Sequence, residues 1–165
     1  MIDQFIPEEI CLKCQGCCRF REAVSVWSPC LLDEEVLSLI DKPDIPSAAI
    51  DANRRLCLVP DKKGELFLCP FLSLEDNKCR IYSMRPFECR LYPFLLNLRS
   101  NKIFLTVDLN CPYIREKLKS PELKNYIDYL TALLNSRKFL RLLKDNSHIL
   151  QTYEDVLKIV ELEEG

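Results

Sequence analysis

The chain has 165 residues, 48% of them apolar, with 23 basic against 25 acidic side chains; this suits one ordinary globular domain with room for a short appendage. Its three glycines, Gly16, Gly64 and Gly165, leave no place for a G-x-G-x-x-G dinucleotide turn or a G-x-x-x-x-G-K-[ST] phosphate loop. Ten cysteines against a single histidine exclude any site that needs two histidines, and put the chemistry on sulfur.

In chain order, the first ten residues have neither the basic n-region nor the apolar h-region of a signal peptide. No apolar run approaches the roughly 18 residues of a membrane span. The expected setting is cytoplasmic, without membrane contact, where cysteines persist as thiols or metal ligands. A secreted, disulfide-stapled domain is the competing reading.

Asp33 opens a short helix through Ile40 that stops at Pro43, and Ser47 starts another through Asn53. Leu56–Val59 and Glu65–Leu68 flank Pro60–Gly64 as a hairpin. Phe94–Leu98 and Ile103–Val107 form a second one around Ser100-Asn101. From Ser120 the apolar period becomes helical: Leu123, Tyr126, Ile127, Leu130, Leu133 and Leu134 share a face, with a Ser120 cap and Pro121 in the first helical position. Thr152-x-x-Asp155 is read as the cap of a final helix carrying Val156, Ile159, Val160 and Leu162. The fold class expected is α+β, a small irregular cysteine-rich body over residues 1–118 with a helical extension over 119–165 packed on it.

Charge is segregated. Residues 1–77 carry 8 basic and 14 acidic side chains, 78–144 carry 14 and 5, and 145–165 carry 1 and 6. The basic middle is readable as a surface for nucleic acid or an acidic protein, or as solvated helix faces that balance negative metal–thiolate sites.

Cys11, Cys14, Cys17 and Cys18 form a C-x-x-C-x-x-C-C cluster within eight residues. A C-x-x-C spacing puts two sulfurs at tetrahedral distance on one backbone knuckle, with Gly16 available for a positive-φ turn. Side chains of the neighbours Cys17 and Cys18 diverge, so the expectation is that they feed two centres or two corners of one cluster. Cys69, Cys79 and Cys89 follow at intervals of ten residues, in Cys-Arg-Ile-Tyr and Cys-Arg-Leu-Tyr repeats for the last two, framed by Pro70, Pro86, Pro93 and Pro112. Prolines suit rigid ligand-bearing loops, and the arginines after the cysteines, Arg80 and Arg90, suit charge neutralisation at thiolates.

These segments, Cys11-Leu-Lys-Cys-Gln-Gly-Cys-Cys18, Cys69-Pro-Phe-Leu72, Cys79-Arg-Ile-Tyr82 and Arg85-Pro-x-x-Cys89-Arg-x-Tyr92-Pro93, resemble the YkgJ-like cysteine-cluster family, described as zinc- or iron-chelating, over roughly residues 8–115. The resemblance implies eight candidate metal ligands: Cys11, Cys14, Cys17, Cys18, Cys69, Cys79, Cys89 and Cys111. Cys30 and Cys57 fall outside the pattern and read as small buried apolar residues. Eight ligands divide into two four-thiolate sites or serve one larger iron–sulfur assembly. Zinc would make closed structural sites, and iron–sulfur a redox or catalytic centre. The resemblance favours iron–sulfur, with an unidentified protein or redox partner. A similar cluster in the flagellin lysine N-methylase implies that such a scaffold can support methyl transfer, although no substrate-binding residue maps here.

Whether the protein is an enzyme stays open. His148 reads as a loop or helix-end residue rather than a general base. Glu88, beside Cys89, reads as a partner of Arg85 or Arg90, or as a proton donor near metal. Tyr82 and Tyr92 read as packing residues that could donate to sulfur. The alternative to an iron–sulfur protein is a zinc-stapled interaction module using the basic 78–144 region.

Overall fold

The computed structural model describes residues 2–14, 16–42 and 45–163. It is a mixed α+β chain with two small three-stranded antiparallel sheets. It divides into two compact units, one built mainly from residues 6–90 and the other from residues 3–5 and 91–165.

The first unit is made of short pieces. Helix α1 (Glu8–Cys11) is one turn that opens after Pro7. Strand β1 (Arg19–Phe20) precedes helix α2 (Asp33–Ile40). Strands β2 (Val59–Pro60) and β3 (Phe67–Leu68) flank a turn, and the sheet order is β1-β3-β2. Asp61 closes that turn, since its Oδ1 accepts from Glu65 N at 3.0 Å, and Gly64 takes a φ of 72°. Helix α3 (Phe87–Leu91) ends the unit. With strands of two residues, backbone ladders supply little, and the unit leans on an apolar cluster of Phe20, Leu31, Leu39, Leu56, Leu68 and Phe71.

Helix α2 has the limits expected from sequence, while Pro43 lies outside the described residues. The helix expected over 47–53 is reduced to a single 3-10 turn at Ser47–Ala49. Beyond it Ile50 bridges to Leu56, and Asp51 Oδ1 accepts from both Asn53 N and Arg55 N at 2.8 Å. An Asp side chain offered the backbone a turn in place of a helix.

The second unit is regular. Strands β4 (Phe94–Arg99) and β5 (Lys102–Val107) pair throughout. Ser100 and Asn101 take φ values of 51° and 62°, the pair of positive values that a two-residue hairpin turn requires. Helix α4 (Pro112–Lys117) follows, then α5 (Pro121–Leu134), whose cap Ser120 accepts from Leu123 N at 3.1 Å, and α6 (Arg137–Asp145), capped by Ser136. Phe94, Leu105, Val107, Leu123, Leu130 and Leu134 are at most 2% exposed and form the core here.

The final helix expected from Thr152-x-x-Asp155 is instead strand β6 (Leu157–Glu161), antiparallel to β5. Thr152 donates to the Leu98 carbonyl at 3.0 Å rather than capping, and Asp155 takes a φ of 57°, incompatible with a helix interior. A register shift opposite Leu105/Thr106 accounts for an apolar spacing that mimics a helical period. Ile159-Val160 suits a pleated strand.

Candidate metal centre

The first unit gathers seven of the eight candidate ligands. Helix α1 ends on Cys11, and the chain tightens after it: Cys14 N donates to Ile10 O at 3.1 Å and to Cys11 O at 3.2 Å. Gly16 does not take the positive φ expected of it, and a Cβ added there would stand 3.4 Å from Cys14 Sγ, at the edge of ordinary contact. Asn77 ties this turn down from a distant segment. Its Nδ2 donates to Cys14 O at 3.0 Å and its Oδ1 accepts from Arg19 at 2.6 Å. Asn77 adopts a φ of 58°, which asparagine tolerates better than most residues.

Sheet pairing then joins the two cysteine segments. Arg19 is opposite Leu68 in the β1–β3 register, so Cys18 and Cys69 follow as the next pair, with Cys69 N donating to Cys18 O at 3.0 Å. Cys79 returns to the same place through a bridge with Leu72, flanked by Ser73 N to Lys78 O at 2.8 Å and Arg80 N to Phe71 O at 2.9 Å.

Cys89 rides on α3, and two half-buried carboxylates hold that helix. Glu35 Oε1 accepts from Phe87 N at 2.6 Å and from Arg90 at 3.3 Å, while its Oε2 accepts from Leu32 N at 3.0 Å, so one side chain serves the N-termini of α2 and α3. Glu88 Oε2 accepts from Cys30 N at 2.7 Å. Glu88 therefore binds backbone rather than Arg85 or Arg90, and it is Glu35 that pairs with Arg90. Burial pushes the Glu88 carboxyl up to about 8, against the opposing Cys30 hydrogen bond.

The thiols face one another electrostatically. Hydrogen bonding to Cys11 pulls the Cys17 thiol down, but Cys18, burial and the neighbouring Cys14 outweigh it and push it up to about 12. Cys18 is lowered by its hydrogen bond with Cys17 and raised more by Cys69, burial and Cys79, also to about 12. Burial first, then Cys18, Cys17 and Cys79, drives Cys89 well above the ordinary thiol range. Burial also raises Cys79, with Arg85 opposing and Cys11 adding to the rise. The neighbours Cys17 and Cys18 influence each other's ionisation, which accords with two corners of one cluster.

All ten cysteines are thiols rather than disulfides. Among the described residues no group of three or more Cys, His, Asp or Glu side chains is arranged to hold an ion as it stands. What the unit presents is a crowd of soft donors in which each ionisation opposes the next, and a bound cation reverses that penalty because it takes thiolates and displaces their protons. One arginine already faces the crowd: Arg85 Nη1 donates to Cys11 Sγ at 3.9 Å. The donor set fits a thiophilic metal.

Not every candidate falls in the first unit. Cys111 belongs to the second unit, where it is buried as the N-cap residue of α4. Cys30 is 1% exposed, as expected, whereas Cys57 is only half-buried and lines a small depression with Asp51 and Arg55. Tyr92 donates to Asp108 at 2.8 Å rather than to sulfur, and His148 sits in a 3-10 turn after α6. Arg85, Asn77 and Glu35 were missed from sequence. Arg85 stood in the quoted Arg-Pro motif, but nothing local marks the other two.

The model of the CxxCxxCC family, "Putative zinc- or iron-chelating domain", matches residues 10–112. The chain belongs to this family. The CxxCxxCC match spans all the gathered cysteines and ends just past Cys111. An uncharacterized protein of Methanocaldococcus jannaschii, MJ0661, is 29% identical over 103 residues, which is 60% of this chain and 52% of that protein. The match thus covers about half the length of this relative. No solved structure matches. Among the described residues no helix is long and apolar enough to cross a membrane.

Proposed function

We propose that the cysteine cluster is a metal-binding centre that holds an iron–sulfur cluster through Cys11, Cys14, Cys17, Cys18, Cys69, Cys79, Cys89 and Cys111, with a redox or cluster-dependent role. The observation that carries this reading is the pairing of the two cysteine segments, with Cys69 N donating to Cys18 O at 3.0 Å and Cys79 returned by its bridge to Leu72. Sulfurs drawn from several segments in this way suit a polynuclear assembly. When bound, such a cluster supplies one-electron chemistry. The protein's own part is to hold the sulfurs on tied-down loops, to limit water around the buried Cys69, and to keep Arg85 against Cys11. A cytoplasmic setting, where thiols stay reduced, accords with this reading.

Zinc is the second reading, and the family description includes it. It would make the same loops a structural staple, leaving function to the basic 78–144 stretch and an acidic or nucleic-acid partner. Metal and acid-labile sulfide analysis with a visible spectrum, on protein purified without oxygen, decides between them. Iron with matching sulfide and a brown colour lost in Cys14→Ala or Cys79→Ala supports the cluster. Zinc without sulfide supports the staple. Protein that retains neither metal under these conditions, and takes up neither on reconstitution, overturns both.

A further inference from the structure

Two arginines that follow cysteines in the repeated motif, Arg80 and Arg90, are tied to the fold: Arg80 donates to the Pro70 carbonyl, although its charge also acts on Cys79, and Arg90 is bound by Glu35. Arg85, which follows no cysteine, brings its head within hydrogen-bond reach of a candidate ligand. Its Nε donates to Tyr82 O at 3.1 Å, its guanidinium carbon stands 3.7 Å from the Tyr82 ring centroid, and Nη1 points to Cys11 Sγ at 3.9 Å. Its charge also acts on Cys79, so one guanidinium addresses sulfurs from both cysteine segments.

Resting on the metal-centre reading above, we infer that Arg85 is a positioning residue that sets how tightly the thiolate site retains its metal. The physical reason is charge. Thiolates carry more negative charge than the metal they bind offsets, whether on one divalent ion or on a cluster, and a partly buried site cannot pass that charge to water cheaply. A guanidinium held on an aromatic face is weakly hydrated and directional, so it offsets the excess at little desolvation cost and donates to sulfur at the same time. The Tyr82 carbonyl and ring fix its direction before metal arrives, so little ordering remains to be done on binding. Lysine would keep the charge but lose the fork and the stacking geometry.

The test uses the full chain loaded with zinc and compares Arg85→Gln, Arg85→Lys and, as a remote control, Lys62→Ala in the exposed turn between β2 and β3. Zinc affinity is measured by competition with a chromogenic chelator, and the circular dichroism of each loaded protein is recorded alongside. Loss of a partner that supports a metal ligand costs about 10- to 100-fold in affinity. Arg85→Gln is expected in that range, Arg85→Lys between it and the parent, and Lys62→Ala within about twofold. If Arg85→Gln retains zinc as tightly as the parent, the inference is overturned while the metal-centre reading stands. It is also overturned if Lys62→Ala weakens binding equally, which would reduce the effect to net charge, or if the loaded Arg85→Gln protein has lost its native dichroism, which would make the arginine a folding residue. A parent protein that binds no zinc overturns the inference, and one that also carries no iron as purified sinks the underlying reading as well.

Discussion

The two units solve the same problem by opposite means. In the second, six-residue strands pair along their length, helices carry side-chain caps, and residues such as Leu105, Leu130 and Leu134 are fully buried. In the first, strands are two residues long, and the chain is held by single side chains that each satisfy several backbone groups: Glu35 for two helix N-termini, Asn77 for the cysteine turn, Asp51 and Asp61 for loops. A region with so little ladder and helix depends more on cross-links. Thiols from several chain segments supply the means for one.

On the metal-centre reading, the largest expected effect comes from metal removal. A structural thiolate site contributes on the order of 10 kcal/mol to folding. Treating loaded protein with a strong chelator under reducing conditions should abolish amide protection across residues 6–90. The β4–β5 hairpin should keep most of its slow-exchanging amides. Unchanged protection in the first unit would show that its side-chain ties suffice alone.

Next comes a break in the other unit. Leu105 is 0% exposed on the central strand of its sheet, so Leu105→Ala should cost about 2–5 kcal/mol through lost transfer energy and the cavity left behind. Denaturant titration should show the loss, while metal content stays that of the parent. A smaller effect is expected at a cap: Ser120→Ala leaves Leu123 N without its acceptor and should cost about 1 kcal/mol. Retention of the parent's stability would mean that packing of Leu123, not the cap, starts α5.

What was legible in the sequence follows the range of the interaction concerned. Helix α2, the Ser100-Asn101 hairpin and the Ser120-Pro121 start of α5 are decided within a few residues, and all three stand where expected. Strand β6 was misread because its pairing with β5, register shift included, is not encoded locally, and an irregular strand can imitate helical spacing. The site divides along the same line. The knuckle of Cys11 and Cys14 is a local spacing, whereas Cys18 beside Cys69 depends on β1 pairing with β3, and Cys89 depends on Glu35 reaching α3. Arg80, next to Cys79 in sequence, is tied to the Pro70 carbonyl, whereas Arg85 reaches Cys11 across the fold, because proximity along the chain says nothing about where a long side chain is tied.

The smallest expected effect tests how the first unit treats its half-buried carboxylate at Glu35. Burial raises its pKa above the ordinary 4.5, and the hydrogen bonds from Leu32 N and Phe87 N and the charge of Arg90 only partly oppose that rise. A carboxyl that holds its proton more tightly folded than unfolded contributes stability that is complete below the unfolded value. That contribution is lost as the pH climbs through the folded one. Glu35→Gln removes the titration while keeping the size of the side chain. It also turns an NH2 toward one of the two backbone donors, so at neutral pH the net change should be within about 1 kcal/mol, lost hydrogen bond against relieved charge burial. Measured across the window upward from pH 4.5, the parent should lose stability relative to Glu35→Gln as the pH rises. The opposite slope would mean that the ionised carboxylate is held favourably by Arg90 and the two N–H groups, and that this strap between α2 and α3 is a net ion-pair tie rather than a burial cost.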